Sequence, residues 1–263
     1  MIKSRCGGYC LLLAVVVCLT SCAARKGRLE KMQMDCTERI TKGLENYKKK
    51  KYASALTRLE DARMQCSGTP VMDTVLFYLG MANIKTKKYT EARTEFQRLV
   101  QEYPGSPFFD EAKFRIGYSV YRQSNKFDRD QKETREAIRI FDGVIESYPE
   151  SRFIDSVIHY RSEAYEKLAT KEFENAEFYV KISEPEAAAV YFRAFLDQFS
   201  DSKLADRARL MELSLLVKLD RMAEASERYE ELMEKSRSEE TKKEAKLLLG
   251  TVNKSAAKEK PRQ

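Results

Sequence analysis

Small and aromatic residues recur along this chain in one fixed relation: Ala55-x3-Leu59, Ala92-x3-Phe96, Ala137-x3-Phe141, Ala188-x3-Phe192 and Ala225-x3-Tyr229. The alanines lie 37, 45, 51 and 37 positions apart, a 37-residue period with extra segments of 8 and 14 residues in the third and fourth copies. Twelve residues before the first two alanines stand Gly43 and Gly80. Gly117 keeps the step, which places the shorter insertion between Gly117 and Ala137. Later in the copies, Tyr103-Pro104-Gly105-Ser106, Tyr148-Pro149-Glu150-Ser151 and Phe199-Ser200-Asp201-Ser202 put Pro or Ser where a helix must stop. The spacing predicts two antiparallel helices per copy, A and B. Small residues let them approach closely, and the aromatic one turn after the alanine fills the space between copies.

In the first copy this register predicts helix A over 37–49 and helix B over 54–65, with the turn centred on Lys51. In the fourth copy no Gly or Pro interrupts the stretch from Phe153 to Lys181, and apolar residues recur at Ile158, Tyr165, Leu168, Ala169, Phe173 and Ala176. A single long helix is predicted there, ended by Ser183 and Pro185. After the last copy, residues 237–250 read as a capping helix whose Leu247, Leu248 and Leu249 cover the final hairpin, and a basic tail beyond Gly250 reads as disordered. The unit is similar to the tetratricopeptide repeat. The expected fold is all-α, a superhelical array of about five such hairpins over residues 37–235, with an N-terminal group at 37–149 and a C-terminal group at 150–235.

The first residues follow another pattern. Lys3 and Arg5 precede the apolar run Leu11-Leu12-Leu13-Ala14-Val15-Val16-Val17, which is too short to span a bilayer and ends at Leu19-Thr20-Ser21-Cys22. This reads as a lipoprotein signal peptide over 1–21, with Cys22 lipidated and 22–36 a linker. Two or more acyl chains on one cysteine anchor a protein stably. Ala23 follows Cys22 where an Asp would favour inner-membrane retention, so the outer membrane is the expected address. Cleavage near Ala23-Ala24 as an ordinary secretory peptide is the alternative.

Composition narrows the chemistry. The chain is 43% hydrophobic and 34% charged, with no Trp, ten Gly and six Pro, too few turn residues for an all-β sandwich. The net charge of +7 is spread as interspersed acids and bases, a solvated helical surface. The lysines at 242, 243, 246, 254, 258 and 260 with Arg262 invite a nucleic-acid reading, but acids lie among them and the export signal opposes it. Cys6, Cys10 and Cys18 fall in the leader, which leaves Cys36 and Cys66 outside any metal-ligand spacing. Symmetric about the first turn, these two either form a disulfide or stand as free thiols at helix ends. The single histidine, His159, has no partner placed by a motif, and no phosphate-binding, zinc-protease or nucleophile-elbow signature occurs. No enzyme, metal or cofactor is expected.

Binding remains. The register assigns to the groove-facing side of helix A Ile40, Leu44, Tyr47 and Lys48 in the first copy, Phe77, Met81, Ile84 and Lys85 in the second, and Phe114, Tyr118, Tyr121 and Arg122 in the third. An apolar and aromatic trough edged by Lys48, Lys85 and Arg122 suits an extended peptide with apolar alternation and a terminal carboxylate or acidic group. A cation near a helix C-terminus is favoured by the macrodipole whatever binds, so a structural reading stands beside it.

The lipoprotein signal, the repeats and three local segments together resemble the BamD family of outer-membrane assembly lipoproteins. The segments are Asp128-Arg129-Asp130-Gln131, Tyr148-Pro149-Glu150-Ser151, and Leu168 to Phe173 running on to Ala176-Glu177-Phe178-Tyr179. The resemblance implies a non-catalytic scaffold of the β-barrel assembly machine on the periplasmic face of the outer membrane. It implies C-terminal repeats that bind a BamA-like barrel protein and an N-terminal groove that receives C-terminal targeting segments of unfolded outer-membrane proteins. Ser183-Glu184-Pro185 and Phe199-Ser200 depart from the family pattern, which bears on the BamA-facing surface more than on the fold. A periplasmic repeat lipoprotein that couples envelope constriction or peptidoglycan synthesis to the Tol system is the competing reading, weakened by an N-terminal linker too short for a coiled coil.

Overall fold

The computed structural model describes residues 35–258. Cys22 and the leader lie outside these residues. Within them the fold is all-α. Helix α1 spans 35–48. Ten more follow: α2 Tyr52–Gln65, α3 Met72–Lys85, α4 Tyr89–Glu102, α5 Phe109–Gln123, α6 Lys132–Ser147, α7 Ile154–Lys181, α8 Pro185–Gln198, α9 Ala205–Lys218, α10 Met222–Lys235 and α11 Glu239–Lys258. None of the described helices is long and apolar enough to cross a membrane. In chain order α1 to α10 are the A and B helices of the five sequence copies, an array of tetratricopeptide-like helix pairs.

Four A-to-B turns are built alike. Lys50, Lys87, Ser183 and Asp220 adopt left-handed φ of 58°, 62°, 62° and 57°. The next residue in each donates its N–H back five positions, Lys51 to Asn46, Lys88 to Asn83, Glu184 to Tyr179 and Arg221 to Leu216. This closes the preceding helix with the paired bonds that satisfy its last carbonyls. The B-to-A turns rely on serine. Ser106 Oγ and Ser202 Oγ accept N–H bonds from Phe108 at 3.2 Å and Leu204 at 3.1 Å, and donate to Asp73 at 2.7 Å and Glu166 at 2.8 Å respectively.

Glycine has a steric task at two places. A Cβ on Gly43 would lie 2.8 Å from Leu59 Cδ2, and one on Gly80 would lie 2.6 Å from Phe96 Cζ. Helix A thus touches the large residue that follows the repeat's alanine on helix B.

The described chain divides into two compact units, the residues up to Gln123 with Tyr148–Phe153, and Ser124–Ser147 with the residues from Ile154 on. The repeat register counts α6 with the first group, whereas its contacts place it against α7 in the second unit. The segment before α6 is fastened to the same helix. Buried Gln131 donates to Lys126 O and Arg129 O and accepts from Thr134 Oγ1 at 2.7 Å, while Lys167 donates to Ser124 Oγ and Lys171 to Arg129 O.

The end of the chain differs from expectation. The helix does not stop at Gly250 but continues to Lys258. A single glycine weakens a helix without forbidding one, and the Ala and Lys residues beyond Gly250 are good helix formers. Leu247 is 62% exposed, so α11 covers α9 through buried Ala245 and half-buried Leu248.

Candidate functional site

The A helices of the first unit, α1, α3 and α5, carry the residues assigned to a peptide groove. Their outermost column is not a surface. Ile40, Phe77 and Phe114 are buried. Phe77 stacks on Phe108 with centroids 4.3 Å apart, and Phe114 on Phe153 at 6.2 Å. Phe108 and Phe153 stand two residues after the turn serines, Ser106 and Ser151, and fold their rings back over Phe77 and Phe114. Aromatic burial of this kind is worth more than exposure in a groove.

The remaining residues do present a face. Leu44, Tyr47, Met81, Ile84, Tyr118 and Tyr121 are half-buried, and Lys48, Lys85 and Arg122 are exposed. Tyr47 meets Tyr52 at 5.4 Å and Tyr78 at 5.3 Å, both edge to face. Burial pushes the Tyr47 hydroxyl above the usual phenol range, reinforced by Tyr52 and opposed by Arg115. Arg122 donates from Nη1 to Tyr118 Oη at 2.8 Å and lies over the Tyr89 ring at 5.1 Å. The third edge cation is therefore held among aromatic rings.

Two contributors escaped the sequence register. Tyr78 and Arg115 occupy one column with Thr41 at the 37-residue step, one position after the buried column. Arg115 is bonded to Glu111 by Nε at 3.2 Å and Nη2 at 2.8 Å, and its guanidinium lies 4.9 Å from the Phe114 ring centroid. The face thus combines tyrosines, Met81 and Leu44 with a positioned guanidinium and lysines at its edge. The signal that would have found it is the Ser-x-Phe of the turns, which shows that Phe77 and Phe114 are sealed.

In the second unit an exposed apolar patch spans the end of α7 and the start of α8. Phe178 is 54% and Val190 62% exposed, with Ile182 and Tyr191 beside them. Tyr179 and Tyr191 stack at 4.4 Å. Behind α8, charges interlock. Glu231 accepts from Arg193 at 2.7 Å, Arg228 at 2.6 Å and Lys235 at 2.9 Å, which holds its carboxyl far below the usual range. Buried Glu212 lies 3.7 Å from Arg193 and 3.8 Å from Arg228 without a hydrogen bond to either, and burial outweighs both, raising it to about 7.

Cys36 and Cys66 are disulfide-bonded across the open ends of α1 and α2, with Cα atoms 5.6 Å apart. His159 is exposed on α7, 3.4 Å from Glu163. Among the described residues no group of acids, cysteines or histidines is placed to hold a metal ion.

Set beside known proteins, residues 32–247 match the family model YfiO, described as an outer membrane lipoprotein. No curated protein sequence matches the chain. Among solved structures it is similar to a thermophilic TPR protein of Thermus thermophilus, at 15% identity and TM-score 0.36 over 81% of this chain and 98% of that one. It is similar also to the TPR2AB domain of yeast Sti1 in its pHSP90 complex, at 14% identity and TM-score 0.43 over 84% of each chain. A tetratricopeptide repeat protein of Parabacteroides merdae aligns at 13% identity and TM-score 0.37 over 84% of this chain and 87% of that one.

Proposed function

This chain belongs to the YfiO family of outer membrane lipoproteins, and from that premise we propose that it is a non-catalytic scaffold of the β-barrel assembly machinery. It is held by acyl chains on Cys22 and faces the periplasm. The A-helix face of the first unit receives the C-terminal segment of an unfolded outer-membrane protein. Aromatic side chains of that segment pack among Tyr47, Tyr78, Met81 and Tyr118, and its carboxylate meets Arg115, Lys48 or Lys85. The apolar patch of Phe178, Ile182, Val190 and Tyr191 docks a periplasmic domain of the barrel subunit, since exposed apolar side chains gathered in one patch mark an interaction surface.

The observation that carries this reading is the half-buried tyrosine face with Arg115 fixed beside it. Its test is fluorescence anisotropy with a labelled peptide ending in Phe and a free carboxylate. Tyr47→Ala with Tyr78→Ala is expected to weaken binding about tenfold or more while helical content is kept, as for loss of well-packed aromatic anchors. Unchanged affinity sinks the groove. Capture of a barrel protein with repeated periplasmic domains from solubilised envelopes supports the scaffold role, and capture of Tol-linked or peptidoglycan-synthesis proteins alone overturns it.

A further inference from the structure

A cavity of about 710 Å3 opens in the second unit at the start of α9. Lys203, Arg209, Lys235 and Arg237 line it, against Asp201 and Asp206. Arg209 is 7% exposed. Its Nη1 donates to Asp206 at 2.9 Å and its Nη2 to Ser200 O at 3.1 Å, while its buried Nε–H has no acceptor. A buried guanidinium donor without a partner costs free energy, and natural interiors keep few of them. Lys235 is engaged by Glu231 at 2.9 Å. Lys203 and Arg237 are exposed and pair with no carboxylate among the described residues. The cavity also takes in Ala205 and Asp206, the first residues of α9, a helix of 14 residues whose N-cap, Leu204, offers no side-chain acceptor. The amides leading into that helix are already bonded, Lys203 N–H to Glu166 and Leu204 N–H to Ser202 Oγ, so an anion in the cavity meets the side-chain cations.

We propose that this cavity is an oxyanion site that takes a phosphate group, carried either by a free phosphomonoester or by an anionic lipid headgroup. Asp206 is spent on Arg209, and Glu166 on Ser202 and the Lys203 N–H, so among the lining residues Asp201 is the one carboxylate left to oppose the two cations without an ion pair, Lys203 and Arg237. A phosphate monoester carries nearly two negative charges at neutral pH and three acceptor oxygens, against one charge and two oxygens for a carboxylate, and so suits a cavity lined by more than one cation. The cavity is larger than a bare phosphate and leaves room for the group that carries it. None of its lining residues belongs to the tyrosine face or to the apolar patch.

The test uses the full chain with Cys22→Ala, which keeps an acyl anchor out of the readout, and compares it with the same chain carrying Lys203→Gln and Arg237→Gln. Both replaced side chains are exposed and make no ion pair, so the fold is kept, as circular dichroism checks. One arm titrates glycerol 3-phosphate by calorimetry. The other measures cosedimentation with phosphatidylcholine vesicles with and without phosphatidylglycerol. Saturable binding in the first arm, weakened about tenfold or more by the double substitution as expected for lost charge-assisted bonds, identifies a free phosphomonoester. Binding to the phosphatidylglycerol vesicles alone, lost in the double variant, identifies a headgroup. No binding in either arm overturns the site, and so does binding that the double variant leaves unchanged.

Discussion

The two units hold their helix pairs together by different means. In the first, glycine brings helix A onto helix B, Gly43 against Leu59 and Gly80 against Phe96, and a disulfide closes the first pair. In the second, the corresponding residues are Ala176 and Leu213, twelve before Ala188 and Ala225, and both are buried. There the chain relies on the Gln131 and lysine anchors of the insertion, the ionic cluster behind α8, and α11 laid over α9. One repeat pattern therefore tolerates two strategies. Close backbone approach with a covalent tie makes stability depend on a few atoms, whereas larger side chains with charge pairs spread it over many and make it depend on pH.

The largest expected effect strikes the covalent tie. Replacing Cys36 and Cys66 by Ser removes a cross-link at a sequence separation of 30, and urea unfolding should show a loss of about 3–4 kcal/mol on the chain-entropy account. Equal stability with and without reductant would erase the contrast. Next comes the glycine contact: Gly80→Ala forces a Cβ to 2.6 Å from the Phe96 ring and should cost about 1–3 kcal/mol by overpacking. Gly143→Ala on α6 meets nothing within 4 Å and should have the opposite sign, a gain of about 0.5–1 kcal/mol. Thermal melts of the two variants shifted in the same direction would refute the steric account.

The smallest effect tests the ionic cluster. The Glu212 carboxyl sits at about 7 in the folded chain, above its ordinary 4.5. The folded state therefore holds that proton more tightly, and stability falls as pH rises between those values, with the full cost present above them. Glu212→Gln should raise stability at pH 8 by on the order of 1 kcal/mol, and the gain should fade by pH 4. Glu231, held low by Arg193, runs the other way: its contribution is present at neutral pH and is lost as pH falls below the ordinary carboxylate range. A gain from Glu212→Gln that does not vary with pH would show that Glu212 acts through packing.

The period of 37 residues made the helices legible, because a steric fit between a glycine or alanine on one helix and a large residue on the next must recur in sequence as it recurs in space. The long α7 followed from the absence of breakers. Which A-helix side chains of the first unit form its surface was legible only in part. Ile40, Phe77 and Phe114 share a helix face with the exposed residues, and only the aromatic side chains arriving from the turns decide that two of them are sealed. Periodicity within one helix carries no information about what a later segment lays upon it. The ionic cluster was hidden for the same reason: Arg193, Glu212 and Glu231 lie on three different helices, each 19 residues after the last, a step that matches neither the helical turn nor the 37-residue period. Gly250 misled because glycine weakens a helix without forbidding one.

The bond between Cys36 and Cys66 also sets a direction in time. Thiols stay reduced in the compartment where a bacterial chain is made and oxidise once outside it. With its thiols reduced the first hairpin lacks its clamp and opens at lower cost; once they are oxidised the same opening costs more. The stabilisation that the disulfide brings is therefore present only in an oxidising compartment.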